Sequence, residues 1–477
     1  MIPSIILILI NIALYFHSTT YDVIMDDYQW YQKRRQLGFF PISKIRNFNN
    51  FQEFISDHLY SGTTFGTNVK LEHWVKIAIN STIAILMFFA LGHDKISFGA
   101  AVLYICNPIN NQTSLWLNGR RYAINIILVL TMMLVPIIAP ALYLFSGLLQ
   151  VTAIFSPILL LNKSPWFLLL IPIFLLAGSQ YIIGKCRGRM EVMADGDLKT
   201  FKPTRFIVIV KTFGFFFWKM IFPQVCAMQY PDRLKWGLTK EGTEDAYKID
   251  AYFFKGTAAL GACAIIFFIL PHRYIGFFGF FVLATLQWSA VLPVTQILSD
   301  RYCSMPNVFM MFFLSYFLSM AGILYVPLLI AFCAYYCICL SEVYPMYKDL
   351  TSFYQYHLRH FPALSWYRHN LIQDLMNEGK QEMASAQTFE GLINDPKDFR
   401  LLIWGAIMSL IKGDTKHAED FLKEAEKNTY INKYDDNMAE IANLRKQISI
   451  IAPIEKKKER MTQREKFVYM KRRGLKG

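Results

Sequence analysis

The stretch that decides the fold is residues 307–340, NVFMMFFLSYFLSMAGILYVPLLIAFCAYYCICL, in which no side chain carries a formal charge. A transmembrane helix needs about 20 apolar residues. This run has 34 and is too long for a single span. Ala321 and Gly322 near its middle predict a tight hairpin of two short helices, and one strongly tilted helix is the alternative. The stretch predicts a chain that lies in a lipid bilayer.

The composition of the whole chain leads to the same conclusion. Hydrophobic residues make up 54% of the 477 residues and charged residues 18%; soluble domains have roughly 45–50% and about 25%. These values exclude a soluble globular enzyme, a disordered chain and a secreted disulfide scaffold, and they predict an all-α polytopic membrane protein. The eight Cys show neither metal-ligand spacing nor a disulfide framework, so we expect no metal site.

Nine apolar stretches precede the long run. They are Ile2–His17, Trp74–Leu91, Ile96–Cys106, Ala123–Pro136, Ala141–Leu161, Pro165–Ile183, Phe206–Phe222, Ala251–Leu270 and Tyr274–Pro293. With the long run counted as two helices, the sequence predicts a bundle of about 11 transmembrane helices. A single tilted helix would give about ten and would move the C-terminus to the other side of the membrane.

The basic residues of the short loops predict the orientation. Loop 184–205 carries six Lys and Arg residues and is therefore expected in the cytoplasm. Loops 18–73, 107–121, 223–250 and 294–306 then lie together on the extracytoplasmic side. With 11 spans, the region after the last helix lies there as well.

The sequence divides into three parts: a membrane domain of residues 1–343, a polar helical domain of residues 344–453 and a basic tail of residues 454–477. The large first loop, 18–73, contains an apolar face suited to a helix on the membrane surface. Leu401–Lys427 predicts a TPR-like helical hairpin with its turn at Gly413 and Asp414. The tail is either a solvated end or a contact for anionic lipid, and we expect no nucleic-acid partner.

Candidate reactive residues lie in the loops on the extracytoplasmic side. Asp26 and Asp27 follow the first span, where a carboxylate can act as a general base, although a solvated loop pair is equally compatible. Arg120 and Arg121 begin an apolar helix and suit phosphate oxygens, or they anchor the helix at the membrane border. Trp116 stacks on a sugar or, as the simpler interpretation, lies in the interfacial aromatic belt.

A second group of polar residues comes from the later loops and spans. Asp300, Arg301 and Tyr302 form a short polar segment, which is either part of a site or only a local ion pair. Lys211 and Lys219 lie within an apolar run, where charges are functional candidates by default, unless they snorkel to the interface. A carboxylate base with several cations beside lipid fits a reaction on a lipid-linked phosphate donor.

The absence of several known motifs disfavours two further classes of protein. The sequence has no P-loop, no Gly-rich dinucleotide fingerprint, no His-Glu-x-x-His zinc motif and no Gly-x-Ser-x-Gly elbow. An ATP-driven pump and a membrane metalloprotease are therefore disfavoured.

The order of these motifs resembles a known family. Asp26-Asp27, then Trp116-Leu117-Asn118-Gly119-Arg120, then Ser299-Asp300-Arg301-Tyr302 and TPR-like helices are similar to the transmembrane-and-TPR O-mannosyltransferases (TMTC family) and their bacterial relatives. These are GT-C fold glycosyltransferases. The resemblance covers roughly residues 1–345, with a looser similarity in the helices that follow.

The resemblance implies a function and a set of roles. The chain would transfer a sugar from a polyprenyl-phosphate donor to a hydroxyl of an extracytoplasmic acceptor, expected to be a protein, with inversion and with no cofactor. It implies that Asp26 or Asp27 is the base. Arg120, Arg121, Arg301 and Lys219 would bind the donor phosphate, and Trp116, Asp300 and Tyr302 would bind substrate. We expect a bacterial inner membrane rather than the endoplasmic reticulum, with the active site on the extracytoplasmic face.

The chain also departs from the family pattern. Asn107, Asn110 and Gln112 stand where the family has His-Pro-x-His-x-Glu, and Leu149-Gln150-Val151 stands where it has Ser-Lys-Glu. The sugar and the acceptor are therefore not carried over. Two alternatives remain: a transporter or flippase for an anionic lipid, for which no inverted repeat is found, and a non-catalytic membrane scaffold.

Overall fold

A computed structural model of the chain describes the fold. It covers residues 1–24, 68–149, 151–177, 205–228, 248–291, 298–362, 364–427 and 440–449, and single positions that include Asp27, Tyr31, Phe54 and Tyr230. The described part is all-α and contains no β-strand. The chain forms two compact units, Met1–Phe353 and Tyr354–Gly477.

The first unit is built from apolar helices. In chain order they are α1 (Ile2–Tyr15), α2 (Val69–Ala90), α3 (Lys95–Cys106), α4 (Asn111–Ser114), α5 (Arg120–Leu134), α6 (Ala139–Leu149), α7 (Leu170–Ala177), α8 (Arg205–Ile221), α9 (Ala251–Ile269), α10 (Ile275–Leu286), α11 (Ser304–Ser319) and α12 (Tyr325–Val343). Polar caps set several of the starts. Asn68 accepts a hydrogen bond from the Leu71 N–H at α2, and Asp94 forms a capping box with Ser97 at α3.

Several helices of this unit can cross a membrane. Four segments are long and apolar enough: Ile2–Thr20, Val69–Ala90, Ala251–Ile269 and Gly322–Tyr347. A fifth is possible if Leu117–Leu134 and Pro136–Ser146, which meet at a bend of 119°, count as one broken span. The described part therefore has the helices of a membrane protein, and a total of about 11 spans remains a prediction.

The long apolar run breaks where the sequence predicts. Helix α11 ends at Ser319 and α12 begins at Tyr325, with a short turn between them. Gly322 in this turn has a φ of +61°, which is unfavourable for residues with a side chain. The predicted single segment Ala141–Leu161 contains two kinds of helix: α6 covers Ala139–Leu149, and a tighter 3-10 helix covers Val151–Leu160 with Pro157 inside it.

Polar contacts join α1 to α2 within the apolar bundle. The Asn11 amide donates hydrogen bonds to Ile77 O and to Ser81 Oγ, both at 2.8 Å, and the Asn80 amide donates to Asn11 Oδ1 at 2.6 Å. All of these side chains are buried. Hydrogen-bonded amides at this interface fix how the two helices face each other, because in lipid an unsatisfied amide is costly.

Helices α8 and α9 approach closely. A Cβ added to Gly256 would lie 2.2 Å from Val210 O, so only glycine allows this contact. Lys211 on α8 is fully buried, and its Nζ lies 2.8 Å from Oδ2 of Asp250, which also caps the start of α9. Lys211 therefore pairs with a carboxylate at the start of the next helix, whose side chain is 40% exposed.

The second unit is a set of antiparallel helices. Its helices are α13 (Leu350–His360, which begins in the first unit), α14 (Ser365–Asn377), α15 (Gln381–Asn394), α16 (Phe399–Lys412), α17 (Thr415–Glu426) and a last helix over 440–449. A helical hairpin lies where the sequence predicts one: Gly413 ends α16 with a φ of +80°, and Asp414 caps α17. Its TPR-like character remains a prediction. Ala418, Leu422 and Ala425 of α17 are buried in one apolar cluster with residues of α16, and the partly buried Phe421 packs against it.

The hairpin has an earlier copy in this unit. The starts of α14 and α16 are 34 residues apart, as are the starts of α15 and α17. At this offset the buried Ala384, Thr388 and Gly391 correspond to Ala418, Leu422 and Ala425. The small residues allow each pair of helices to pack closely. The basic tail, 454–477, lies outside the described residues.

Candidate functional site

Loop 107–119 is the structural centre of the candidate site. It is buried along its length although it is rich in polar side chains. Its first residue, Asn107, accepts a hydrogen bond from the Ile109 N–H at 2.9 Å and donates one to Met220 O on α8 at 2.8 Å. A Cβ on Gly119 would lie 1.7 Å from Gln112 O, so the loop closes tightly on itself. These contacts hold the loop in one conformation.

Three other loops and the short turn that follows α12 contact this loop. The Asn118 N–H binds Asp27, the Gln112 amide donates to Ala227 O at 3.1 Å, and Asn111 contacts both Asp300 and the Tyr347 hydroxyl. Segments that the sequence analysis assigns to one side of the membrane therefore meet at one end of the bundle.

The first polar cluster surrounds Asp27. This carboxylate is 1% exposed, and its Oδ1 accepts a hydrogen bond from the Asn118 N–H at 2.9 Å. Two residues after Asn118, Arg120 begins α5 and forms a buried ion pair with Glu72 on α2. Asp26, the other candidate base, lies outside the described residues.

Tyr31, His73 and Lys76 complete this first cluster. Tyr31 is buried, and the lost hydration together with the charges of Glu72 and Asp27 raises the pKa of its hydroxyl. His73 and Lys76 lie one turn apart on α2, at 2% and 1% exposure. Arg120 and Asp27 are both near enough to Lys76 to act on its charge. The cluster thus combines two carboxylates, two cations, an imidazole and a phenol away from water.

The second polar cluster surrounds Asp300, on the other side of loop 107–119. Its carboxylate accepts hydrogen bonds from the Ala227 N–H at 2.8 Å, the Tyr230 hydroxyl at 2.7 Å and the Asn111 amide at 3.3 Å. Burial raises the pKa of Asp300, and the nearby Lys219 charge and these donors oppose that rise. An acceptor so fully occupied by donors from three segments holds the loops together.

The four cations predicted to bind the donor phosphate do not all lie in one polar cluster. Lys219, near the end of α8, lies 4.9 Å from the centre of the Tyr230 ring and within electrostatic range of Asp300. Arg121 and Arg301 each lie over the ring of the tyrosine that follows them, at 5.1 and 5.3 Å. The structure therefore brings Arg120 together with Asp27 and brings Lys219 together with Asp300. The assignment of all four cations to one phosphate remains a prediction.

The aromatic candidates are packed inside the protein. Trp116 is 1% exposed, so the simpler interpretation, a place in the interfacial aromatic belt, is wrong. Tyr302 stacks on Trp288 with ring centres 4.4 Å apart and an angle of 10° between the planes. Both rings are therefore buried, and sugar contacts by either one remain a prediction.

Sequence reasoning missed Glu72, His73 and Lys76. The apolar stretch predicted from Trp74 onward leaves the first two of these residues in the loop. The structure begins α2 at Val69, so all three belong to the helix. The available signal was the spacing of Glu72 and Lys76, which puts both charges on one face of an apolar helix.

Comparisons with protein-family models, with curated proteins and with solved structures give no match for this chain.

Proposed function

We propose that this protein is a membrane glycosyltransferase of the GT-C type, in which Asp27 is the catalytic base. It transfers a sugar from a polyprenyl-phosphate donor to a hydroxyl group of an acceptor. The acceptor is sought among extracytoplasmic proteins, because the motif order resembles the TMTC family. The single observation that carries the proposal is a buried carboxylate, Asp27, beside buried cations at the loop end of an apolar bundle.

The proposed reaction is one displacement. The acceptor oxygen attacks the anomeric carbon, the bond between that carbon and the phosphate oxygen breaks, and the electron pair leaves with the lipid phosphate. Asp27 takes the proton of the acceptor hydroxyl. Since a phosphate is a stable leaving anion, the reaction needs one base and several cations rather than a second acid.

The geometry around Asp27 supports the role of a base. One oxygen is held by the Asn118 N–H, which fixes the orientation of the carboxylate. Arg120 follows on the same short segment, where its guanidinium is buried and paired with Glu72. Charges in such a water-poor site act strongly on a phosphate in the transition state, because little solvent screens them.

The fold proposed for the whole chain is a GT-C bundle of about 11 spans followed by a TPR-like domain. The second unit supports the TPR-like part: its helical hairpins repeat at 34 residues, the period of tetratricopeptide repeats. Within it, α14 packs on α15, α15 on α16, α16 on α17, and α14 also contacts α16, as in stacked helical repeats. We propose that this domain binds the protein acceptor.

The proposal is tested in cells that carry the wild-type chain, Asp27→Asn, or the control Asp22→Asn. Asp22 is exposed on the same loop and lies outside the buried cluster. Intact masses of extracytoplasmic proteins should show a sugar increment with wild type and Asp22→Asn, and none or little with Asp27→Asn at equal protein level. Identical masses in all three strains and in a strain without the chain would contradict the proposal.

A further inference from the structure

Lys76 is a buried basic residue whose amine has no hydrogen-bond partner among the described residues. Its side chain is 1% exposed, and its Nζ has no hydrogen-bond acceptor in the part of the chain that the structure describes. An ammonium group held away from water without an acceptor is costly, so it is rare unless a ligand completes its surroundings. Lys76 lies outside every role assigned so far.

His73 adds a second unsatisfied group on the same face of α2. Both of its ring nitrogens are buried and lack a hydrogen-bond partner among the described residues. The residues are three positions apart and therefore lie next to each other on the helix surface. A ligand placed against this face would meet an ammonium and an imidazole N–H, which are both hydrogen-bond donors.

The neighbouring charges indicate an anion rather than a neutral group. Glu72 is already paired with Arg120. Asp27 acts on Lys76 through space but lies beyond hydrogen-bonding distance of its Nζ. A transfer reaction requires the base and a phosphate-binding cation to be neighbours, because the attacked carbon is one bond from a phosphate oxygen.

We propose that Lys76 and His73 bind an oxygen of a phosphoryl group. This group is the phosphate of the lipid-linked donor, or of the lipid phosphate that remains after the sugar is transferred. This inference rests on the proposed function and adds two residues to it that the sequence analysis did not select. Lys76 stabilises the leaving phosphate as a point charge, while Arg120 stays in its ion pair with Glu72.

The test measures ligand binding and stability of the full-length protein in detergent micelles. The probe is farnesyl phosphate, farnesol is the uncharged comparison, and inorganic phosphate tests whether the phosphoryl group alone is sufficient. The variants are Lys76→Met, Lys76→Arg and the control Lys70→Met, an exposed lysine on the same helix. Each protein is titrated by calorimetry, and its thermal unfolding midpoint is recorded with and without the probe.

The proposal predicts that Lys76→Met weakens farnesyl phosphate binding about tenfold or more, since hydrogen bonds to charged groups are the stronger class. Lys76→Arg should retain most of the affinity, Lys70→Met all of it, and farnesol should bind weakly to every variant. Without probe, Lys76→Met should unfold at the wild-type temperature or higher, because it removes an unpaired buried charge. Binding of inorganic phosphate with the same Lys76 dependence would support a site for the free anion.

Three results would overturn the inference. Unchanged affinity of Lys76→Met for farnesyl phosphate would overturn it. The proposed function would still stand if Asp27→Asn abolished sugar transfer. A lower unfolding midpoint of Lys76→Met without probe would assign Lys76 a structural role. Absence of binding by the wild type to either phosphate probe would also reject the site, and the glycosylation test would then decide the proposed function separately.

Discussion

The ion pair between Arg120 and Glu72 gives the sharpest prediction about the stability of the site. The side chains are 3% and 0% exposed, so neither charge has access to water. Replacing Glu72 by Gln keeps the shape of the side chain but removes the ion-pair partner of the buried guanidinium. Removal of one partner from a buried ion pair typically costs about 3–5 kcal/mol, and we expect a loss in this range.

The assay is unfolding of the full-length protein in mixed micelles by SDS titration, with helix content as the signal. The matched control is Glu342→Gln, at an exposed carboxylate near the end of α12. The double variant Glu72→Gln with Arg120→Met should be more stable than Glu72→Gln alone, since it removes the buried guanidinium together with its ion-pair partner. Wild-type stability of Glu72→Gln, or additive losses in the double variant, would refute the reasoning.

Three further substitutions test close contacts in the fold. Gly256→Ala should lower stability by about 1–3 kcal/mol by pushing α8 and α9 apart. The control Gly261→Ala, in open space on the same helix, should be neutral or stabilising. SDS titration compares the stability of the two variants. Gly119→Ala should reduce both stability and sugar transfer, because its Cβ would overlap Gln112 O; normal transfer would show that the loop can move without loss. Gly413→Ala should cost about 1–2 kcal/mol, since the residue is left-handed, and equal thermal midpoints would contradict this.

Much of the architecture was accessible from the sequence because apolar length and helix-ending residues are local signals. The break at Gly322 and the turn at Gly413 follow from glycine and from the lengths of the flanking runs. The second copy of the helical hairpin was also accessible. Ala384 and Gly391 stand 34 residues before Ala418 and Ala425, and a comparison of the sequence with itself at that offset finds them.

The contacts of the site are less accessible from the sequence. Asp27 and Arg120 were selected because charged residues at the ends of apolar runs are conspicuous, but nothing local shows that Glu72 neutralises Arg120. The placement of Lys219 beside Asp300 depends on how four loops fold over one another. Such contacts join residues more than 40 positions apart, and spacing along the chain does not determine them.

The most direct test of the central claim is sugar transfer by the purified full-length protein in lipid nanodiscs. Polyprenyl-phosphate-linked sugars from membranes of the source cells serve as donors, and extracytoplasmic proteins from cells lacking the chain serve as acceptors. The account predicts that wild type and Asp22→Asn attach sugar to protein and release lipid phosphate, while Asp27→Asn is slower by about 10²–10⁴-fold. Equal transfer by Asp27→Asn, or no transfer by the correctly folded wild type, would contradict it.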